Sequence, residues 1–326
     1  MAQLTFDSVL DHLLDSKKDI PLGHLQYYSD LDPKSLRLFL DAWKNVPPQR
    51  KLLLLDKLIA YLDEDTIVSY EDIGRALLKD ADGEVRARAI GLLAESDDPK
   101  LADSLLDIFL TDTEVAPRIQ AAKLLGEFVL LGSLEELNVH LLKRIEDALI
   151  SVIRSDENAA LRRMALESFG YSERDEAVGI LESAYERDES VWVASALRAM
   201  GRSHDTRWKD SVTAKLLDPD PRIRYAAAEA AGEIVIEEAV PVMLKMLEDE
   251  EEDDDVTLAT IWALSQIGGE DVRIYLVNLL ENTEDDETAA FLEDALENLD
   301  FTDQLNNFDM LSLDEDDEFD DEEDEE

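Results

Sequence analysis

Four histidines, His12, His24, His140 and His204, are the side chains of this chain best suited to hold a metal or relay a proton. None stands at helical ligand spacing from another and none is followed by glutamate, so each reads as an ordinary helix or turn residue. There is no cysteine, which removes disulfides, thiol nucleophiles and cysteine-based zinc sites. With 79 Asp and Glu, carboxylate pairs occur everywhere and single out no site. The densest internal run, Glu248 to Asp255, lacks the glycine-turned, alternating spacing of a calcium loop and reads as a solvated, helix-capping turn. Glycine-rich phosphate loops, nucleophile elbows and a Walker-type lysine are all missing. The expectation is a protein without catalytic residues, metal or cofactor, and not an enzyme. Trp192, Trp262 and Tyr225 could wall a ligand, but at helical spacing they are read as packing residues.

The residues that remain able to bind something belong to a recurring phrase, apolar–Arg–x–x–Ala–x–x–x–Leu–Gly. Its alanines fall at 89, 121, 165, 196, 227 and 263, at steps of 32, 44, 31, 31 and 36. Self-similarity at this period means a solenoid, in which each unit buries its apolar face against its neighbours. Counting back from the closing Gly or Ala, positions −9, −5, −2 and −1 point into the core of a helix pair, and −7 and −3 point away. That stripe contains Ile119, Lys123, Arg163, Arg198, Tyr225 and Ile261. Small, apolar, aromatic and basic side chains there form a candidate partner groove, while acid collects in the turns and on the second helices.

Charge limits what the partner can be. The net charge is −48; twelve of the thirteen residues from 314 to 326 are acidic and none is basic, which leaves −36 on the rest. Such a field repels phosphate backbones and anionic lipid, so nucleic-acid and membrane binding are not expected and a basic protein is the easier partner. Asp7, Asp11 and Asp15 interrupt the apolar pattern of the first helix, which does not resemble a signal peptide. No uncharged run nears membrane length, and a cytoplasmic protein is the default expectation.

The elements that must position these residues are all helical. Residues 1–80 carry amphipathic helices without a clear phrase, including one opened by Asp32-Pro33 (cap, then proline at the first helical position), and are expected to cap the array. From 81 to 300 about six units and a weak last one follow, each a phrase-bearing helix and an amphipathic partner such as Leu101 to Leu110, separated by Asp-rich turns. The 44-residue step is attributed to Phe128–Leu142, as a longer helix or an added short one. From 301 to 326 the pattern fades into an acidic tail that is expected to be disordered, its end from 314 being almost wholly acid. If it folds back, it competes for the basic side chains of the stripe.

The phrase, with its Asp-rich turns and following helix, resembles the HEAT repeat, most closely the short form named after phycobilin lyases. The resemblance implies an all-α, right-handed α-solenoid of HEAT-like hairpins with the phrase-bearing helices on the inner side. It also implies a ladder in which the phrase arginine bonds a carboxylate of a neighbouring turn, here Arg86, Arg118, Arg162 and Arg224, with Val193 and Thr260 interrupting it. Iron-binding His-Glu pairs, which hydroxylases of this kind carry, are absent. Three functions follow as expectations: a non-enzymatic scaffold binding a protein partner on its inner face; a phycobilin-lyase-like enzyme or chaperone for a cofactor-bearing protein; or an acidic regulator of a basic, nucleic-acid-binding protein. The oligomeric state is left open.

Overall fold

The computed structural model describes residues 4–65, 67–96, 98–155, 157–249 and 252–316, without the side chains from 305 onward. Among them there is no strand. The chain divides into two compact units, Met1–Phe169 and Gly170–Glu326. The division falls inside the expected repeat array.

In the first unit, α1 (Phe6–Leu14) opens with a reciprocal capping box between Thr5 and Ser8. A 3-10 segment, Leu22–Tyr28, leads to α2 (Pro33–Trp43), where Asp32 accepts from the amides of Lys34 and Ser35. In α3 (Pro48–Glu64), Leu54, Leu55 and Leu58 are fully buried with Tyr28 and Phe39. Arg50 of the same helix is 6% exposed and donates to the carbonyls of His12, Leu13 and Lys18. One buried guanidinium thus binds two carbonyls at the C-terminal end of α1 and one in the loop that follows. The helices α4 (Glu71–Leu77), α5 (Gly83–Gly91), α6 (Pro99–Thr111), α7 (Val115–Ser133), α8 (Val139–Ile153) and α9 (Ala159–Phe169) complete the unit. The long step is resolved by α7, which runs through Phe128 to Ser133, and by the 15-residue α8; no helix is added.

The second unit contains α10 (Glu176–Tyr185), α11 (Ser190–Arg202), α12 (Lys209–Thr213), α13 (Pro221–Ile234), α14 (Val240–Met246), α15 (Asp254–Ile267), α16 (Glu270–Asn282) and α17 (Asp286–Asp316). Both α12 and α14 are short and entered through a 3-10 turn. The last helix carries Leu292, Ala295 and Leu299 into the core and continues to Asp316, so the acidic segment is helical as far as that residue. The remainder of the expected disordered tail, 317–326, lies outside the described residues.

The repeat is phased by its caps. The residues before α5, α7, α9, α11, α13 and α15 are Asp82, Glu114, Asn158, Glu189, Asp220 and Asp253, and the phrase alanine comes seven residues later. By that count the last alanine position is Thr260, not Ala263, and the final step is 33 rather than 36. Thr260 is fully buried and donates its hydroxyl to the carbonyl of Val256, which is how a threonine replaces alanine in the seam.

The closing glycine has a physical cause. A Cβ on Gly170 would stand 2.5 Å from the carbonyl oxygen of Ala199, and on Gly232 2.8 Å from the Cα of Ala263. At Gly232 this lets α13 lie against α15 at backbone contact, and the facing Ala263 is small for the same reason.

Candidate interaction surface

In the first unit, α3, α5 and α7 line a groove of about 750 Å³. Its apolar floor includes Ile59, Leu62 and Leu124; its rim includes Asp56, Arg88, Lys123 and Glu127. Arg88 spans it, with Nε 2.6 Å from Asp56 and Nη1 2.7 Å from Glu84. Lys123 is exposed on this rim. Ile119 and Arg163 are half-buried and do not line the groove.

In the second unit, α13, α15 and α17 line a smaller pocket of about 370 Å³. Each contributes one aromatic ring: Tyr225, Trp262 and Phe291. The Trp262 and Phe291 rings lie 6.2 Å apart at 47°. Between them stand three carboxylates, Glu229, Glu233 and Asp255. Behind the wall, Arg198 lies 3.0 Å from Glu229, with its guanidinium 5.6 Å from the centre of Tyr225. Burial raises the Tyr225 phenol, with Glu229 adding to the effect. Burial also pushes the Glu233 carboxyl up to about 7, against the pull of Arg202. One oxygen of Glu233 is buried without a hydrogen-bond partner.

The expected groove residue Ile261 requires correction. It is 0% exposed, and its neighbour Trp262 is 39% exposed. The cause is the three-residue slip described above. Counted from the caps, the equivalents of Tyr225 and Glu229 are Leu258 and Trp262, while Ile261 matches the buried Ala228. The reading of the aromatics as packing residues fits Trp192, which is buried under the guanidinium of Arg187 at 3.9 Å, but Trp262 and Tyr225 stand in a pocket wall. Glu233, Phe291 and Asp255 were missed. They come from three helices, and only Glu233 carried a signal, the recurrence of a large side chain thirteen residues after the caps.

Where their contacts are described in full, the phrase arginines bond both a carboxylate and a main-chain carbonyl. Arg86 forks onto Asp112 at 2.7 Å through Nε and Nη2, and its Nη1 donates to the carbonyl of Asp80. Arg118 forks onto Glu157 at 3.0 and 3.1 Å and donates to the carbonyl of Phe109. Arg224 forks onto Glu252 and donates to the carbonyl of Asp218. Arg162 donates to the carbonyl of Ile153. The arginine therefore neutralises carbonyls behind it and holds a carboxylate in the following turn. Hydrogen bonding from Arg86 keeps Asp112 below the usual carboxylate range, and Arg118 does the same for Glu157. Glu252 is also lowered: burial pushes it up, but Arg224 and the amide of Asp253 together outweigh that.

The rings of His12 and His24 lie 4.8 Å apart, tilted at 38°, and burial together with the His12 charge lowers His24. Among the described residues no group of three or more His, Cys, Asp or Glu is arranged to hold a metal, and no helix is long and apolar enough to cross a membrane.

Residues 210–297, which include the aromatic pocket, match the HEAT repeats family. The chain is similar to three solved structures among others. YibA of Escherichia coli is 14% identical over 88% of this chain and 98% of that one, with a TM-score of 0.44. The complex of CpcE and CpcF of phycocyanin lyase from Nostoc sp. is 17% identical over 70% and 94%, with a TM-score of 0.48. Kap121p bound to Nup53p is 12% identical over 91% and 37%, with a TM-score of 0.45. No curated protein matches the chain. Residues 210–297 thus carry the HEAT-repeat pattern, and the same cap-to-arginine-to-alanine spacing runs from Asp82 through the first unit. The fold is all-helical, of stacked HEAT-like hairpins.

Proposed function

We propose that this chain is a non-enzymatic, cytoplasmic binding scaffold that receives a protein partner on the groove sides of its phrase-bearing helices. One observation supports this reading most. In each unit those helices offer a recess that mixes apolar or aromatic surface with charged side chains, on a molecule whose charge is otherwise strongly acidic. Half-exposed aromatic and arginine side chains set in recesses are the composition of interaction hot spots. The net charge of −48 favours a basic partner and speeds its approach at low salt. The ladder arginines hold the repeats in register and are not expected to touch the partner.

The test is affinity capture with the full chain and two sets of variants. Lys123→Glu and Arg88→Glu alter the groove of the first unit; Lys44→Glu alters an exposed position away from it. The expected result is a captured protein that the groove variants lose and Lys44→Glu retains. Equal capture by all three would overturn the placement of the partner site. Turnover or binding of a tetrapyrrole would replace the scaffold reading with the lyase reading.

A further inference from the structure

We infer that the pocket formed by Tyr225, Trp262 and Phe291 receives a cationic side chain, arginine or lysine, from a basic segment of the partner. The inference rests on the scaffold reading for the source of the cation and on the pocket's own chemistry for its charge.

Three rings from three successive phrase-side helices surround a space of about 370 Å³. Aromatic faces attract cations through their quadrupole, and guanidinium groups stack on them. The same space is walled by Glu229, Glu233 and Asp255, so an anion is repelled. A neutral apolar ligand fares little better. It would strip water from the carboxylates of the wall and return no hydrogen bond. Only a cation compensates both the charge and the lost hydration. The neighbouring cations offset only part of that charge. Arg198 is paired with Glu229 and lies over Tyr225, Arg202 lies over Tyr171 at 5.5 Å, and His204 uses Nδ1 on the main-chain oxygen of Glu233.

Glu233 also lies where it costs space. A Cβ on Gly201 would come within 2.0 Å of its Oε2 and 2.9 Å of the Cα of Ala230, so the carboxylate is seated over a residue with no side chain. The acid is accommodated by the repeat's own closing glycine.

The probe is a set of blocked tripeptides, Gly-X-Gly, in which X is arginine, lysine or citrulline; citrulline keeps the shape of arginine without its charge. Each is titrated into the full chain, and tryptophan emission is followed. Trp43, Trp192 and Trp208 are buried, so the accessible reporter is Trp262. The arginine or lysine peptide is expected to bind about tenfold tighter than the citrulline peptide at low salt, and Glu233→Gln to remove most of that difference. Glu233→Gln keeps the side chain's shape, so its fold is retained, which circular dichroism checks. Equal binding of the cationic and citrulline peptides, or no binding of any, would overturn the inference. Failure of the scaffold reading looks different: the cationic peptides still discriminate, but Glu233→Gln and Trp262→Ala leave capture of the partner unchanged.

Discussion

Glu233 is the residue at which binding and stability pull apart. Its carboxyl is raised by burial to about 7, above the 4.5 of an unperturbed glutamate. Between those values the folded chain holds a proton that the unfolded chain has released, so stability falls as pH rises through this window. Glu233→Gln removes the titration. The variant is expected to be more stable than the parent by about 1–3 kcal/mol at pH 8 and equal to it near pH 4.5. Thermal melts at both values check this; a Glu233→Gln chain less stable at pH 8 would show that the carboxylate has a partner. Arg50 is the opposite case, a buried charge with three carbonyl partners, one for each of its nitrogens. Removing it with Arg50→Met leaves those carbonyls unpaired and should cost roughly 3 kcal/mol, read by chemical denaturation.

At the scale of the helix, the closing glycine and the C-terminal cap of α13 give two tests of opposite sign. Gly170→Ala places a methyl group against the backbone of Ala199 and should destabilise by about 1–3 kcal/mol. Gly23→Ala, where nothing lies within 4 Å, should change little. Val235 caps α13 with φ 58°, a left-handed conformation that a β-branched residue resists. Val235→Gly should therefore stabilise by roughly 0.5–1 kcal/mol despite the entropy glycine adds to the unfolded chain. These positions also show what the sequence made legible. Helix starts were readable because Asp caps and Pro at the first position act within three residues. The phrase was readable because glycine, alanine and arginine each answer a fixed contact with the next repeat. The register of α15 was not, because Thr260 fills the alanine place and a later alanine, Ala263, mimics it one turn on. Arg50 was not legible either, since its partners are main-chain oxygens that any residue supplies. The aromatic pocket needed three helices brought side by side before its rings could be seen as one wall.

For the molecule as a whole, two opposing charge effects set the dependence of stability on pH. Asp98, Asp112 and Glu157 are held below their ordinary values, Asp98 first by the amide of Lys100 and the other two by arginine partners. Groups lowered on folding contribute stability that is complete above the unfolded value and is lost as pH falls through the folded one. They weaken the fold only in acid, below about pH 4. On the other side, Glu233 costs stability above 4.5, and a net charge of −48 at neutrality adds repulsion throughout the chain. Stability should therefore peak near pH 5 and decline on both sides. Salt separates the contributions: 0.3 M salt shortens the screening length to about 6 Å, and should raise the melting temperature at pH 8 more than at pH 5. Melts across pH 3 to 9 at low and high salt check both expectations. A melting temperature that climbs steadily to pH 8 at low salt would mean that acidic repulsion is already neutralised by the arginines of the turns and grooves. The net charge would then be a poor guide to the partner as well.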